Sequence, residues 1–174
     1  MSAGDDIVSH IPQIAPDGLR PHRERVRPEW IDYNGHMNVA WYVAAFDLAA
    51  EAFLEQVGIG EAHRREHHCS TFTVEAHVTY QQEVHEGDLL EFRTRLLGFD
   101  AKRLHYVQSM YQVEEGYLAA TLEWLTLYID MRTRTVARIP TELLTRLEAF
   151  LASQAHLPVP PETGRAVAFR RRGS

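Results

Sequence analysis

Apolar side chains recur at Val39, Val43, Phe46, Ala50, Phe53 and Val57, a helical spacing that predicts a helix over residues 38–57. Asn38 is suited to cap its start and Gly58 to end it. Its other faces are mostly alanine (Ala40, Ala44, Ala45, Ala49, Ala52), so most of its circumference is expected to be buried, as when a sheet wraps a helix. Four later runs alternate or are rich in β-formers: residues 71–84, 89–99, 104–113 and 117–130. The breaks between them, HEGD at 85–88, GFDAK at 98–102 and EEG at 114–116, are short enough for antiparallel hairpins, so a four-strand meander is expected. A short strand within HRERVRPEW, with Pro28 at its edge or end, precedes the helix, and the polar stretch HRREHH reads as a linker. Thr141 to Ala152 forms a second amphipathic helix after Pro140. The predicted class is α+β: a long central helix, a mainly antiparallel five-stranded sheet and a C-terminal helix. The domain spans 21–156, and residues 1–20 and 157–174, with their prolines and glycines, read as loose tails.

Composition narrows the function. A domain of this size buries roughly 70% of its unfolded surface, enough for a core and a small-molecule pocket. The net charge of -6 over 174 residues argues against nucleic acid as the main partner. The single cysteine, Cys69, excludes an intrachain disulfide and a thiolate-rich metal site, and is expected to be a small buried thiol at a strand start. With no signal-peptide pattern at the start and no apolar run of about 20 residues, a soluble cytoplasmic protein without membrane contact is expected.

The candidate chemistry sits just before the long helix, in WIDYNGHMNVAWY. Asp32, Asn34 and His36 alternate around a glycine, so a carboxylate, an amide and an imidazole can converge on one small volume. Any one of them is an ordinary turn residue; three together, with Asn38, feeding an apolar helix point to a site. Asn38 caps one amide of the helix start, and the others, including that of Val39, lie at the positive end of the helix dipole, suited to a carbonyl oxygen that gains negative charge.

Other candidates carry less. Strict alternation puts Thr73, Glu75, His77 and Thr79 on one strand face, where Glu75 is a second carboxylate able to orient water or tune His36. His63 and His67 have metal-binding spacing but lack a third ligand, so no metal is expected. Lys102 and Arg103 in a hairpin turn, with Arg93 and Arg95 nearby, are candidates to meet phosphates. Glycine-rich phosphate loops and a GxSxG elbow are missing, which removes kinase, dinucleotide-dehydrogenase and serine-hydrolase readings.

From about Val26 to Asp130 the chain resembles the hotdog-fold acyl-CoA thioesterases of the 4-hydroxybenzoyl-CoA thioesterase type, through WIDYNGHMNVAWYVAAFDLA, VEAHVTYQQEVHEGD and EEGYLAATLEW. The resemblance implies that Asp32 is the carboxylate that activates water or attacks the thioester carbonyl, while amides near the helix start polarise that carbonyl. The D-x-N-x-H-x-N arrangement is also similar to that of plant acyl-ACP thioesterases, which implies catalytic roles for Asn34 and His36, with His36 as general base or water holder and Asn34 orienting the water. No cofactor is implied, since coenzyme A belongs to the substrate. A narrower likeness, to the thioesterases of carnitine breakdown including those fused to carnitine dehydrogenases, implies betainyl-CoA or dehydrocarnitinyl-CoA as substrate. Their quaternary ammonium would suit the faces of Trp30, Tyr33, Trp41, Tyr42 and Trp124, each contact worth about 0.5 to 2 kcal/mol.

Two alternatives stand beside this. Hotdog hydratases carry a D-x-N-P-x-H pattern, from which this chain departs at Gly35 and in its Asp32 to His36 spacing; the other alternative is a non-catalytic acyl-CoA-binding module. The resemblance also implies a homodimer or homotetramer in which each site borrows residues from a neighbour.

Overall fold

The computed structural model describes residues 19–168. The expected N-terminal tail, apart from Leu19 and Arg20, and the last part of the expected C-terminal one lie outside them. The chain opens with β1 (His22–Arg25) and a 3-10 turn at Pro28–Trp30, then enters α1 (Val39–Val57). The Asn38 side chain accepts from the Ala40 N–H (3.0 Å), and Gly58 closes the helix at φ +89°, the left-handed conformation glycine adopts without a Cβ penalty. Helix α2 (Glu61–His67) follows, then β2 (Cys69–Tyr80), β3 (Leu89–Phe99), β4 (Arg103–Gln112), β5 (Leu118–Asp130), a two-residue β6 (Thr135–Val136) and α3 (Thr141–Ser153).

The sheet is antiparallel throughout, in the order β1-β3-β4-β5-β2 with β6 beside β5. It wraps α1, the hotdog arrangement. Tyr42, Ala45, Phe46, Ala49, Phe53 and Val57 face inward at three- and four-residue spacing, meeting residues such as Phe92, Tyr106 and Leu122 from the sheet. Fully burying a side chain such as Phe46 or Phe53 contributes about 1.5–3 kcal/mol. Leu143 and Leu147 of α3 close the core at one end.

Four expectations are corrected. The four strands do not form a simple meander: β2 lies beside β5, at the opposite side of the sheet from β1 and β3. The connection over residues 81–88 is a crossing held by Val84, which is fully buried and whose carbonyl accepts the Met37 N–H (2.9 Å). The outer face of α1 is open, because the sheet covers only one side; Val39 is 56% exposed and Val43 40%. The polar HRREHH stretch forms the body and the cap of α2 rather than a linker. The Glu55 carboxylate accepts the Glu61 N–H at its start, and His68 ends it in the left-handed conformation. Finally, a bulge between Thr73 and Glu75 breaks strict alternation: Thr73 opposes the buried Thr126, whereas Glu75 opposes Leu125, so the two lie on different faces.

Beyond β1, the free edge of β3 is sealed by one side chain. Buried Gln154 accepts from the Leu96 N–H (2.8 Å) and donates to the Thr94 carbonyl (2.8 Å), imitating a neighbouring strand. Past this point the chain turns at Pro160–Thr163, and the Gly164 N–H donates to Glu123 Oε2 on β5 (2.7 Å).

Candidate active site

The Asp32 loop is a tight hairpin on the threshold of α1. Ile31 and Met37 form an isolated antiparallel bridge, and the Asp32 N–H donates to the His36 carbonyl (3.1 Å). Gly35 sits at the turn with φ +84°, and its N–H donates to the Asp32 carbonyl (3.0 Å). The Asn38 N–H donates to the Trp30 carbonyl (2.8 Å), which ties the loop to the helix start.

Both Asp32 oxygens are held. Oδ1 accepts the Asn34 N–H (2.8 Å), and Oδ2 accepts Nδ2 of Asn38 (3.2 Å). Hydrogen bonding from the Asn34 amide, helped by Asn38 and by the nearby His36, holds the carboxyl below the usual carboxylate range against the opposing effect of burial. His36 Nδ1 lies 3.3 Å from the Met37 carbonyl, to which it can only donate, leaving Nε2 for other partners. That nitrogen is 3.8 Å from Glu83 Oε1.

At the helix start the Ala40 N–H goes to the Asn38 side chain and the Trp41 N–H to the Asn38 carbonyl (2.9 Å). The Val39 N–H, first in the helix, precedes any helical acceptor and has no backbone acceptor among the described residues. Beside it runs a groove of about 240 Å³, lined by His36, Val39, Tyr42, Tyr80 and Glu83 among others. Asp32, Asn34, His36, Asn38, Val39 and Tyr42 are thus brought together.

Glu75, Lys102 and Arg103 lie elsewhere in the fold, and the other aromatic candidates do not line this groove. Glu75 lines a different depression with His77, His105 and Glu123 on β2, β4 and β5, where His105 Nε2 meets Glu123 Oε1 at 2.6 Å. Lys102 and Arg103 stand at the β3–β4 turn, opposite Leu127 of β5, whereas the helix start adjoins Tyr80 opposite Ala120. Most of the length of β5 separates them, roughly 20 Å or more at 3.3 Å per residue. Asp100 engages both: its carboxylate accepts their backbone N–H groups and pairs with the Arg103 guanidinium (2.6 Å). Trp30 is buried, stacked on Trp41 (5.5 Å between ring centroids) and covered by the Arg27 guanidinium. Trp124 is buried and donates to Gln108 Oε1 (2.9 Å). Trp41 is partly open, and Tyr33 stands 97% exposed at the loop tip. His63 Nε2 contacts the Tyr128 hydroxyl at 2.6 Å, and among the described residues no group of three or more His, Cys, Asp or Glu is close enough to hold a metal. Tyr80 and Glu83 were not among the sequence candidates. The inward phase of Tyr80 was readable from alternation, but the position of Glu83 follows from the crossing at Val84.

A long helix wrapped by an antiparallel sheet, with a groove beside the helix start, is the hotdog fold. The chain belongs to the thioesterase-like superfamily, which residues 26–147 match. It is 36% identical over 149 residues to a betainyl-CoA thioesterase of Pseudomonas aeruginosa, a match that covers 86% of this chain and 94% of that one. It is 34% identical to an L-carnitine dehydrogenase/betainyl-CoA thioesterase of Agrobacterium fabrum, over 86% of this chain and 30% of the longer relative. Among solved structures, a Staphylococcus aureus protein in complex with CoA superposes with a TM-score of 0.81 at 29% identity, over 86% of this chain and 94% of that one.

Proposed function

We propose that the protein hydrolyses acyl-CoA thioesters whose acyl group carries a quaternary ammonium, betainyl-CoA being the type substrate, and that Asp32 carries the chemistry. The observation behind this is the Asp32 carboxylate fixed by Asn34 and Asn38 beside the open Val39 amide. The thioester oxygen accepts the Val39 N–H, where the helix dipole favours the negative charge that develops. On the general-base route the Asp32 carboxylate takes a proton from a water whose oxygen forms the new C–O bond as the C–S bond breaks, and the CoA thiolate leaves with that proton. On the nucleophilic route Asp32 forms the C–O bond as the CoA thiolate leaves, and water then cleaves the acyl–Asp32 anhydride, giving the free acid, the regenerated carboxylate and the proton the thiolate takes up. Its depressed proton affinity keeps it ionised at neutral pH, as either route requires. Asn34 and His36 complete the site as groups that orient the water. The 36% identical betainyl-CoA thioesterase supports the choice of acyl group.

Free-thiol release from a panel of acyl-CoAs, betainyl-CoA and crotonyl-CoA included, tests this. Thiol release from betainyl-CoA is expected; hydration of crotonyl-CoA without thiol release would overturn the hydrolase reading. The assembly reading is a homodimer or homotetramer: among the described residues β2 has one unpaired edge, and Val39, Val43 and Val74 lie exposed. Sedimentation at micromolar concentration should return at least a dimer, and a monomer would contradict it.

A further inference from the structure

The groove beside the Asp32 loop has a chemistry of its own. Its inner wall is an aromatic corner: Tyr42 and Tyr80 meet edge to face, 5.2 Å between centroids at 86°. Tyr80 is 45% exposed and offers ring surface to the groove, while Tyr42 lies buried behind it. Burial, opposed by a bond with the Val84 backbone and helped by Tyr117, Glu83 and Tyr80, pushes the Tyr42 hydroxyl up to about 12, so this wall is neutral. Among the lining residues Glu83 is the one carboxylate. Its backbone is fixed, because the Tyr117 hydroxyl donates to the Glu83 carbonyl (2.7 Å) and the next residue, Val84, is fully buried. The carboxylate itself projects outward, 66% exposed, at 3.8 Å from His36.

Two aromatic rings and one carboxylate match one class of ligand group. A quaternary ammonium has no N–H to donate, so it is held by ring faces and by diffuse charge attraction. In a betainyl thioester a single methylene separates the nitrogen from the carbonyl carbon. The cation must therefore sit against the site that binds the carbonyl oxygen, and Val39 lines this same groove. The larger aromatics do not compete for it: Trp30 is covered by Trp41 and Arg27, Trp124 is buried, and Trp41, though partly open, does not line the groove.

We infer that Tyr80 and Glu83, backed by Tyr42, form the subsite that selects acyl groups bearing a quaternary ammonium. This rests on the acyl-CoA hydrolase reading above. The test compares kcat/KM for betainyl-CoA with that for 3,3-dimethylbutanoyl-CoA, in which a tert-butyl group replaces the trimethylammonium at equal size and no charge. The wild type should prefer the cationic thioester. Glu83→Gln and Tyr80→Leu should each lower that preference by about tenfold, and Tyr80→Phe should keep it. No preference in the wild type, or a ratio unmoved by both substitutions, overturns the subsite while leaving the hydrolase intact. An equal fall on both substrates in Glu83→Gln also overturns it, assigning Glu83 to positioning His36. A wild type that releases thiol from neither thioester overturns the hydrolase reading and the subsite with it.

Discussion

Asn38 does two things with one amide, and substitution can separate them. Its oxygen caps α1 through the Ala40 N–H (3.0 Å), and its nitrogen steadies Asp32 Oδ2 (3.2 Å). Asn38→Ala removes both. Losing an N-cap costs about 1 kcal/mol, which for a domain of this size lowers Tm by about 2–4 °C. Asn38→Ser keeps a capping oxygen but has no N–H that reaches the carboxylate, so its Tm should stay within about 1 °C of wild type. In both variants Asp32 loses one of its two donors, and a hydrogen bond to a charged group is worth about tenfold or more in rate when it orients the reacting atom. Thermal melts followed by circular dichroism, with thiol release at saturating substrate, read the two effects separately. The expected pattern is a melting loss in Asn38→Ala only and a fall in kcat of about tenfold in both. A serine variant with wild-type kcat would refute the claim that Asn38 steadies the catalytic carboxylate. An alanine variant with unchanged Tm would refute the cap.

Other consequences follow from the packing and charge. Gln154→Leu leaves the Leu96 N–H and the Thr94 carbonyl without their buried partners, and urea melts should show a loss of about 2–5 kcal/mol. Gly35→Ala forces a side chain into φ +84°, so it should cost about 1–2 kcal/mol by the same melts and lower kcat by displacing the Asp32 loop. Acid should destabilise the fold in two stages. His22 and His63 are held below the ordinary His value of 6.5, mainly by burial, so their neutral forms support the fold fully above that value and progressively less as pH falls below it. Asp130, bound by Arg132 and lowered to about 2, and Asp100, lowered by Arg103, support the fold above the ordinary Asp value of 3.8 and lose that support as pH falls towards 2. A urea midpoint that rises on acidification from pH 7 to 5 would contradict the first stage, and one that is flat from pH 4 to 2 the second.

The features legible in the sequence were those set by local chemistry. Asn38 and Gly58 marked the ends of α1 because caps depend on a few neighbouring atoms, and the β-rich runs fell close to β2–β5 because their side chains meet a pleated, half-buried surface. The Asp32 loop was legible for the same reason: apart from the Met37 N–H, which reaches Val84, its bonds run between residues 30 and 38. Strand neighbours were not legible, since HEGD looks like a hairpin turn whether the chain reverses or crosses, and only the burial of Val84 beneath Met37 decides it. Helix α2 has no buried residue and so no apolar stripe to read. The bulge at Thr73/Glu75 shifts the facing of β2 by one residue, which alternation alone does not reveal. The same shift in facing sets Glu75 apart from His36, which alternation alone had allowed it to tune.

Asp32→Asn puts the account's central claim to its most direct test. An asparagine oxygen can still accept the Asn34 N–H, so the loop should keep its shape while the charge is removed. With betainyl-CoA and the purified protein, thiol release should fall by more than about a hundredfold at an unchanged Tm. A rate within a few-fold of wild type would contradict the assignment of Asp32 as the group that carries hydrolysis.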